Sequence, residues 1–130
     1  MIIDSSAMVA ILGHESDARE LAIAIEEAPV RRISVANYVE AAMVLDSRRD
    51  PVLSRRLDDF VREAQVLLEP VTLEQAKLAR DAYRDFGKGR HRAGLNFGDC
   101  FAYALAKEKG EPLLFKGDDF RRTDVEVAEY

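Results

Sequence analysis

The sequence predicts an α/β protein, a three-layer α/β/α sandwich with a central, mostly parallel sheet, formed by one domain over residues 1–130. Short apolar segments that are typical of strands alternate with longer segments whose apolar residues recur at helical spacing. Because parallel strands are joined by crossovers, helices between the strands indicate a sheet that is covered on both faces. Only 4 Pro and 7 Gly, with no repeat or linker, favour a single compact domain.

Candidate strands and helices follow one another in a regular order. Short apolar segments occupy residues 1–3, 33–35, 66–68 and 112–115, and the alternating segment 125–127 predicts an edge strand. Helical periodicity extends over residues 6–12, 17–28, 37–49, 51–64, 73–86 and 97–109. Two helix starts carry capping signals, because Asp50 stands directly before Pro51 and Thr72 is followed three positions later by Gln75.

The composition excludes several classes of protein. A formal net charge of -5 argues against a protein that coats duplex nucleic acid through bulk electrostatics. The longest apolar run, residues 7–12, is far shorter than the roughly 20 residues of a membrane helix, and no basic segment precedes it as in a signal peptide. The single cysteine excludes an internal disulfide framework and favours a reducing compartment. We therefore expect a cytoplasmic protein without membrane contact.

Acidic residues fall at the carboxyl ends of the candidate strands, where parallel sheets bind their ligands. Asp4 follows the first strand, and Asp118 and Asp119 follow the fourth. Asp99 opens the helix before that fourth strand, and Glu40 lies early in the helix after the second strand, on an otherwise apolar segment. If these carboxylates converge, a pair separated by about 5 Å repels by roughly 3 kcal/mol at an effective dielectric of about 20.

A divalent cation would offset the repulsion between these carboxylates, and the residues present permit one. Mg²⁺ prefers oxygen ligands and needs only one or two direct carboxylates, and Mn²⁺ suits the same ligands. Only two histidines, His14 and His91, and one cysteine are present, so Zn²⁺ has no obvious site. A hard cation of this kind suits phosphodiester hydrolysis, which requires no side-chain nucleophile. The motifs of serine hydrolases and of nucleotide-binding loops are absent from the sequence.

Each acid also has a purely structural interpretation, and the sequence leaves both open. Two Asn-x-x-acid segments, ending at Glu40 and Asp99, have the spacing of capping pairs at helix N-termini. Asp4 has the position of a helix cap, and Asp118 with Asp119 is typical of a turn. The combination of four acids at compatible ends of different elements is what favours a shared site.

A short basic segment lies just before Asp99. Within it, Lys88, Arg90 and Arg92 are candidates for gripping substrate phosphates beside a metal. A merely solvated, flexible loop is the alternative interpretation of this charge run.

Four segments of the chain occur in a specific order and spacing. They are MIIDSSAMVAIL at 1–12, SVANYVE at 34–40, LNFGDCFAYALA at 95–106 and PLLFKGDDF at 112–120, followed by TDV at 123–125. Together they resemble the PIN-domain ribonucleases of the VapC toxin family, over essentially the whole chain. The resemblance implies a PIN-like nuclease domain that acts as a metal-dependent endoribonuclease, the toxin of a type II toxin–antitoxin pair.

The resemblance also implies roles for individual residues. Asp4 and Asp99 match the family's principal metal ligands, and Glu40 matches the third acid, which helps to position metal or water. Many relatives carry Thr-x-Asp before a second Asp-Phe, whereas this chain has Lys-Gly at the earlier position. Asp119, directly before a Phe, is therefore the expected fourth catalytic acid, and Asp118 is expected to act from outside the direct ligand sphere.

The partners implied by the resemblance are an RNA substrate, a second copy of the chain in a homodimer, and a VapB-type antitoxin. The C-terminal segment of such an antitoxin enters the acidic groove, where an arginine often approaches the carboxylates. This is physically reasonable, because a guanidinium replaces the charge of a cation and forks onto a carboxylate. Whether dimers associate further into a larger toxin–antitoxin complex is left open.

Two other hypotheses belong to different functional classes. One is a Mg²⁺-binding signalling module similar to response-regulator receivers, although Ser5 and Ser6 stand where paired acids would be expected after the first strand. The other is a catalytically inert PIN-like binding module, against which the intact set of Asp4, Glu40 and Asp99 argues.

Overall fold

The computed structural model describes all residues of the chain, 1–130. Its strands are β1 (Ile2–Ile3), β2 (Arg32–Ser34), β3 (Leu67–Glu69) and β4 (Leu113–Leu114). Its helices are α1 (Ser5–Leu12), α2 (Ala18–Glu27), α3 (Val35–Asp46), α4 (Pro51–Glu63), α5 (Leu73–Phe86) and α6 (Phe97–Lys109), and a short 3₁₀ helix spans Asp119–Arg122. None of these helices combines the length and the hydropathy that a membrane span requires.

The four strands form one sheet in the order β3-β2-β1-β4, and every pair in it is parallel. Ile2 of β1 is in register with Arg32 on one side and with Leu113 on the other. β1 is therefore a central strand, and the residue that follows it, Asp4, lies in the middle of the carboxyl edge. The predicted parallel sheet is confirmed.

Neighbouring residues of the short strands face opposite layers, as the pleat of a strand requires. Ile3, Ile33 and Leu114 belong to a buried cluster with apolar residues of α1, α2, α3 and α4. Ile2 and Leu113 belong to a second cluster with residues of α5 and α6. The helices thus cover both faces of the sheet, which confirms the three-layer sandwich.

The predicted edge strand over 125–127 is wrong as a regular strand. The segment makes only an isolated bridge, between Val127 and Leu113. Just before it, Asp124 is held against α6, where it accepts hydrogen bonds from the hydroxyl of Tyr103 at 2.7 Å and the ammonium of Lys107 at 3.2 Å. The bridge consists of two backbone hydrogen bonds at 2.9 Å, from the N–H of Leu113 to the carbonyl of Glu126 and from the N–H of Ala128 to the carbonyl of Leu113. Because β4 itself is only two residues long, the pairing does not extend further.

The start of α3 also differs from the sequence prediction. The helix begins at Val35 rather than near residue 37, because the hydroxyl of Ser34 accepts a hydrogen bond from the backbone N–H of Ala36 at 3.2 Å and caps the helix. Asn37 therefore lies inside the first turn, and the interpretation of Asn37 and Glu40 as a capping pair is wrong. Both side chains are left for contacts outside the helix.

The N-terminus of α4 provides a test of the capping assignment. The carboxylate of Asp50 accepts hydrogen bonds from the backbone N–H groups of Val52 at 2.9 Å and Leu53 at 3.4 Å. We expect Asp50→Ala to lower the free energy of unfolding by about 1 kcal/mol, because these helix donors lose their acceptor. Urea denaturation measures the loss. Asp50→Asn keeps an acceptor and is the matched control; equal losses in both variants would contradict the role of the cap.

Candidate active site

An acid-lined cleft of about 400 Å³ opens at the carboxyl edge of the sheet, where α1, α3 and α6 begin. Asp4, Glu40 and Asp99 all line it. These residues are separated by up to 95 positions in the chain (99 minus 4), and the crossover topology brings them together. Three of the four acids predicted to share a site therefore do share one.

Asp4 is buried and serves two purposes at the end of β1. Its Oδ2 accepts a hydrogen bond from the backbone N–H of Ser6 at 3.0 Å and caps α1. Its Oδ1 is buried and has no hydrogen-bond partner. Burial raises the pKa of Asp4 to about 7, against the lowering effect of its hydrogen bonds with Ser6, and the nearby charges of Asp99 and Glu40 raise it further. The cap interpretation is correct, and it leaves one oxygen available.

Asp99, at the start of α6, also acts as part of a helix cap and lines the cleft. It forms a capping box with Asn96, in which Asp99 Oδ2 accepts from the Asn96 N–H at 3.0 Å and Asn96 Oδ1 accepts from the Asp99 N–H at 2.9 Å. Partial burial raises the pKa of Asp99 to about 6, the Asn96 backbone bond lowers it, and the charges of Glu40 and Asp119 raise it. The pKa shifts of Asp4 and Asp99 show that each carboxylate lies in the field of others.

Glu40 is held by one side chain from α1 and one from its own helix, α3. Its Oε1 accepts a hydrogen bond from the hydroxyl of Ser5 and a longer one, at 3.4 Å, from the amide of Asn37. Asn37 is fully buried and also donates to the backbone carbonyl of Gly98 at 3.0 Å. This amide therefore links α3, which carries Glu40, to the first turn of α6, which carries Asp99.

Gly98 makes the approach of Glu40 to α6 sterically feasible. A Cβ atom at this position would lie 2.0 Å from Glu40 Oε2 and 2.5 Å from its Cδ, which no side chain tolerates without displacement. The sequence analysis missed Gly98 and Asn37 as parts of the site. A glycine inside the first turn of a helix costs stability relative to alanine, and this was the available signal for a close approach.

The fourth pair of acids lies outside the cleft lining. Asp118 and Asp119 are both exposed, at the start of the 3₁₀ helix. Asp119 is near enough to raise the pKa of Asp99, whereas Asp118 is not among the groups that do so. This difference favours Asp119 as the residue associated with the site.

Lys116, the lysine of the Lys-Gly pair that precedes Asp118, forms ion pairs with other acids. Its ammonium pairs with Glu15 and with Asp17, at 3.0 Å in each case, and these partners raise its pKa. Its backbone N–H donates to the hydroxyl of Ser6 at 3.0 Å. The lysine lines the cleft, but its charge is directed to carboxylates outside the set of Asp4, Glu40 and Asp99.

The donor chemistry of the cleft fits a hard divalent cation. No group of three or more Asp, Glu, His or Cys side chains is arranged so that it could hold a metal ion. A hydrated Mg²⁺ does not need one, since it keeps several waters and binds through one or two carboxylates. The unpartnered Oδ1 of Asp4 is a buried oxygen of the required type, and the charge of Asp99 acts on the same carboxylate.

The basic residues predicted to bind substrate lie outside this cleft. Lys88, Arg90 and Arg92 are exposed in the segment between α5 and α6. The guanidinium of Arg90 lies over the ring of Tyr83, 5.5 Å from its centroid. The backbone carbonyl of Arg92 accepts a hydrogen bond from Arg122 at 3.1 Å, which ties this segment to the 3₁₀ helix.

Sequence comparison with known proteins identifies one family over nearly the whole chain. A family model described as the PIN domain matches residues 1–126. Ribonuclease VapC28 of Mycobacterium tuberculosis is 57% identical over 129 residues, which cover 98% of this chain and 97% of that protein. Ribonuclease VapC of Mycolicibacterium smegmatis is 56% identical over 125 residues, covering 96% of this chain and 97% of that protein.

Solved structures share the fold at much lower identity. The VapC20 toxin of Mycobacterium tuberculosis, described as cleaving the sarcin-ricin loop, superposes with a TM-score of 0.77 at 17% identity and 95% coverage of both chains. A toxin–antitoxin complex from Klebsiella pneumoniae gives a TM-score of 0.74 at 15% identity, covering 99% of this chain and 97% of that chain. The resemblance seen in the motifs is thereby confirmed: this chain belongs to the PIN-domain family and, within it, to the VapC ribonucleases.

Proposed function

We propose that this chain is the toxin of a VapBC-type pair, an endoribonuclease that hydrolyses RNA phosphodiester bonds at the cleft of Asp4, Glu40 and Asp99 with the help of Mg²⁺ or Mn²⁺. The observation that carries the proposal is the buried, unpartnered Oδ1 of Asp4 in a cleft that Glu40 and Asp99 also line. A divalent cation bound there would supply Lewis acidity and offset the charge of the phosphodiester.

The hydrogen bonds and the exposure of each acid indicate its expected role in the reaction. Asp4 and Asp99 are the expected metal ligands, because each has one oxygen occupied by a helix cap and a second oxygen outside the cap. Glu40 is held by Ser5 and Asn37, so it is oriented to position metal or water. Asp119 is the expected fourth catalytic acid, exposed and near Asp99, and Asp118 is expected to act only from outside the ligand sphere.

The proposed partners are RNA, an antitoxin and a second copy of the chain. Lys88, Arg90 and Arg92 are expected to bind RNA phosphates. A VapB-type antitoxin is supported by exposed apolar side chains of α3, the helix that carries Glu40, where Val39 is 51% exposed and Met43 68% exposed. Exposed apolar side chains on a helix that also contributes to an acidic cleft suit a partner segment that has both apolar and cationic side chains. The homodimer rests on the family relationship.

The two hypotheses from other classes are not favoured. A receiver-like signalling module is not supported, because the family match and the similar structures are to the PIN domain and to toxins. An inert PIN-like module is not favoured, because the relatives at 57% and 56% identity are ribonucleases by name and the acids converge here.

Removal of either expected metal ligand tests the proposed activity. Asp4→Asn and Asp99→Asn should each reduce Mg²⁺-dependent cleavage of a total RNA pool by about 100-fold or more, since even the loss of indirect metal partners costs up to this amount. Asp118→Asn is the matched exposed control, which should retain most activity, and Asp119→Asn should fall between. Circular dichroism establishes folding. Full cleavage by folded Asp99→Asn protein would refute the assignment.

The raised pKa values of Asp4, to about 7, and of Asp99, to about 6, predict competition between protons and metal. Below these values the carboxyls are neutral and bind a cation poorly, so the increase in melting temperature produced by Mg²⁺ should be larger at pH 8 than at pH 6. In the absence of metal, stability should change with pH in the opposite direction. The native state binds protons more tightly than the unfolded chain, so the free energy of unfolding falls as pH rises from about 4 to 7.

Differential scanning fluorimetry with and without Mg²⁺ measures both trends. Asp99→Asn is the control, because it removes one titrating carboxylate and should diminish both. An Mg²⁺-induced shift that is equal at pH 6 and pH 8 would contradict the prediction.

Gly98 tests the positioning of Glu40. Gly98→Ala should displace the Glu40 carboxylate and lower both Mg²⁺ affinity, measured by calorimetry, and cleavage by about tenfold, the size of an indirect metal contact. Glu40→Asp withdraws the carboxylate by one methylene and makes room for the new methyl group. The double variant should therefore lose less than the two single losses combined. Additive losses would show that Gly98 does not act through Glu40.

A further inference from the structure

The outer face of α5 carries a second cleft, of about 550 Å³, whose lining is mainly cationic. Lys77, Arg80 and Arg84 lie on one side of the helix, at spacings of three and four residues, and Arg90 joins them from the following segment. In a chain with a net charge of -5, such a concentration of positive charge is a local exception.

Much of this positive charge is not neutralised within the chain. Arg84 pairs with Asp81 at 3.2 Å and with Asp85 at 3.0 Å. Lys77, Arg80 and Arg90 form no salt bridge. These cations are thus available to an anionic partner at the surface.

An aromatic side chain lies among these cations. Tyr83 is 44% exposed, and the guanidinium of Arg90 lies over its ring. The hydroxyl of Tyr83 donates to the backbone carbonyl of Lys88 at 3.4 Å, which fixes the ring beside the basic segment. An exposed ring flanked by cations has the composition of a surface on which bases stack while phosphates are neutralised.

The cationic cleft adjoins an apolar cleft that includes residues at the start of α6. Arg80 and Tyr83 also line an adjoining apolar cleft of about 400 Å³ that includes Phe97 and Phe101. Phe97 is 80% exposed, with its ring centroid 4.8 Å from that of Phe101. Its neighbour in the chain, Asn96, lines the acidic cleft. The exposed ring of Phe97 thus belongs to the same helix start as Asn96 and Asp99, and its cleft shares Arg80 and Tyr83 with the cationic cleft.

We propose that the strip formed by Phe97, Tyr83, Arg80, Lys77 and Arg90 binds the single-stranded RNA that flanks the scissile bond. The inference rests on the proposed ribonuclease function and specifies where the substrate lies. Stacking on exposed rings requires unpaired bases, which a duplex does not offer, and phosphates supply negative charge to Lys77, Arg80 and Arg90, which form no salt bridge within the chain. A second copy of the chain fits less well, since a two-fold contact across the cationic cleft would bring its unpaired cations against each other.

Binding measurements on the inactive full-length Asp99→Asn protein separate this contact from catalysis. Fluorescence anisotropy with a labelled single-stranded RNA of mixed sequence gives the Kd over a range of salt concentrations. Adding Arg80→Ala and Arg90→Ala should weaken binding by about tenfold or more and make the dependence of log Kd on log salt shallower by about one to two units. Adding Tyr83→Ala should weaken binding by about tenfold without changing the salt dependence, because stacking releases no counterion.

The matched control is the pair Arg55→Ala and Arg56→Ala on α4, which removes the same charge from exposed positions outside the strip. It should leave the Kd close to that of the parent. If the Arg80 and Arg90 variant binds RNA as the control does while the unmodified enzyme cleaves RNA, the strip is wrong and the ribonuclease function stands. If the unmodified enzyme neither binds nor cleaves RNA, the proposed function itself fails. Loss of RNA binding that coincides with conversion of a dimer to a monomer in sedimentation would identify the face as a subunit interface and overturn the proposal.

Discussion

Burial of carboxylates close to one another is the constraint on which the organisation of this chain depends, because desolvation disfavours their charge most and their mutual repulsion adds to it. Asp4 is fully enclosed, and its pKa of about 7 shows how unfavourable its charge is in the absence of a cation. The scaffold maintains this arrangement because the same carboxylates cap α1 and α6, so that helix N–H groups stabilise them. The same side chains therefore act both as helix caps and as lining of the cleft. The sequence offered these two roles as alternatives, but Asp4 and Asp99 have both.

Sequence signals between neighbouring residues correctly predicted the features that neighbouring residues determine. Helix caps at Asp50 and Asn96, and the alternation of apolar strands with helices, led to the correct architecture because each depends on neighbours in the chain. The contacts that complete the site join distant residues. The fit of Glu40 against Gly98, and the amide of Asn37 between two helices, depend on how α3 and α6 pack together. Periodicity and spacing carry no information on that packing, so the roles of Gly98 and Asn37 were missed.

Two clefts of opposite charge occur on this small domain. Asp4, Glu40 and Asp99 line the cleft at the carboxyl edge of the sheet, and the cations of Lys77, Arg80 and Arg90 line the cleft on the outer face of α5. The exposed ring of Phe97 lies in an apolar cleft that shares residues with the cationic one. A net negative charge is therefore compatible with an anionic substrate, because the attraction is local and the repulsive acids are those that a cation neutralises.

The bond from Asn37 to the Gly98 carbonyl has a mechanical consequence. α3 belongs to the layer on one face of the sheet and α6 to the layer on the other, while β1 and β4 between them are only two residues long. The backbone hydrogen bonds of the sheet lie within its plane and do not join the two layers, so the buried amide provides a direct polar link between them. A ligand of the acidic cleft that contacts both Glu40 and Asp99 would add a second link between the same two helices.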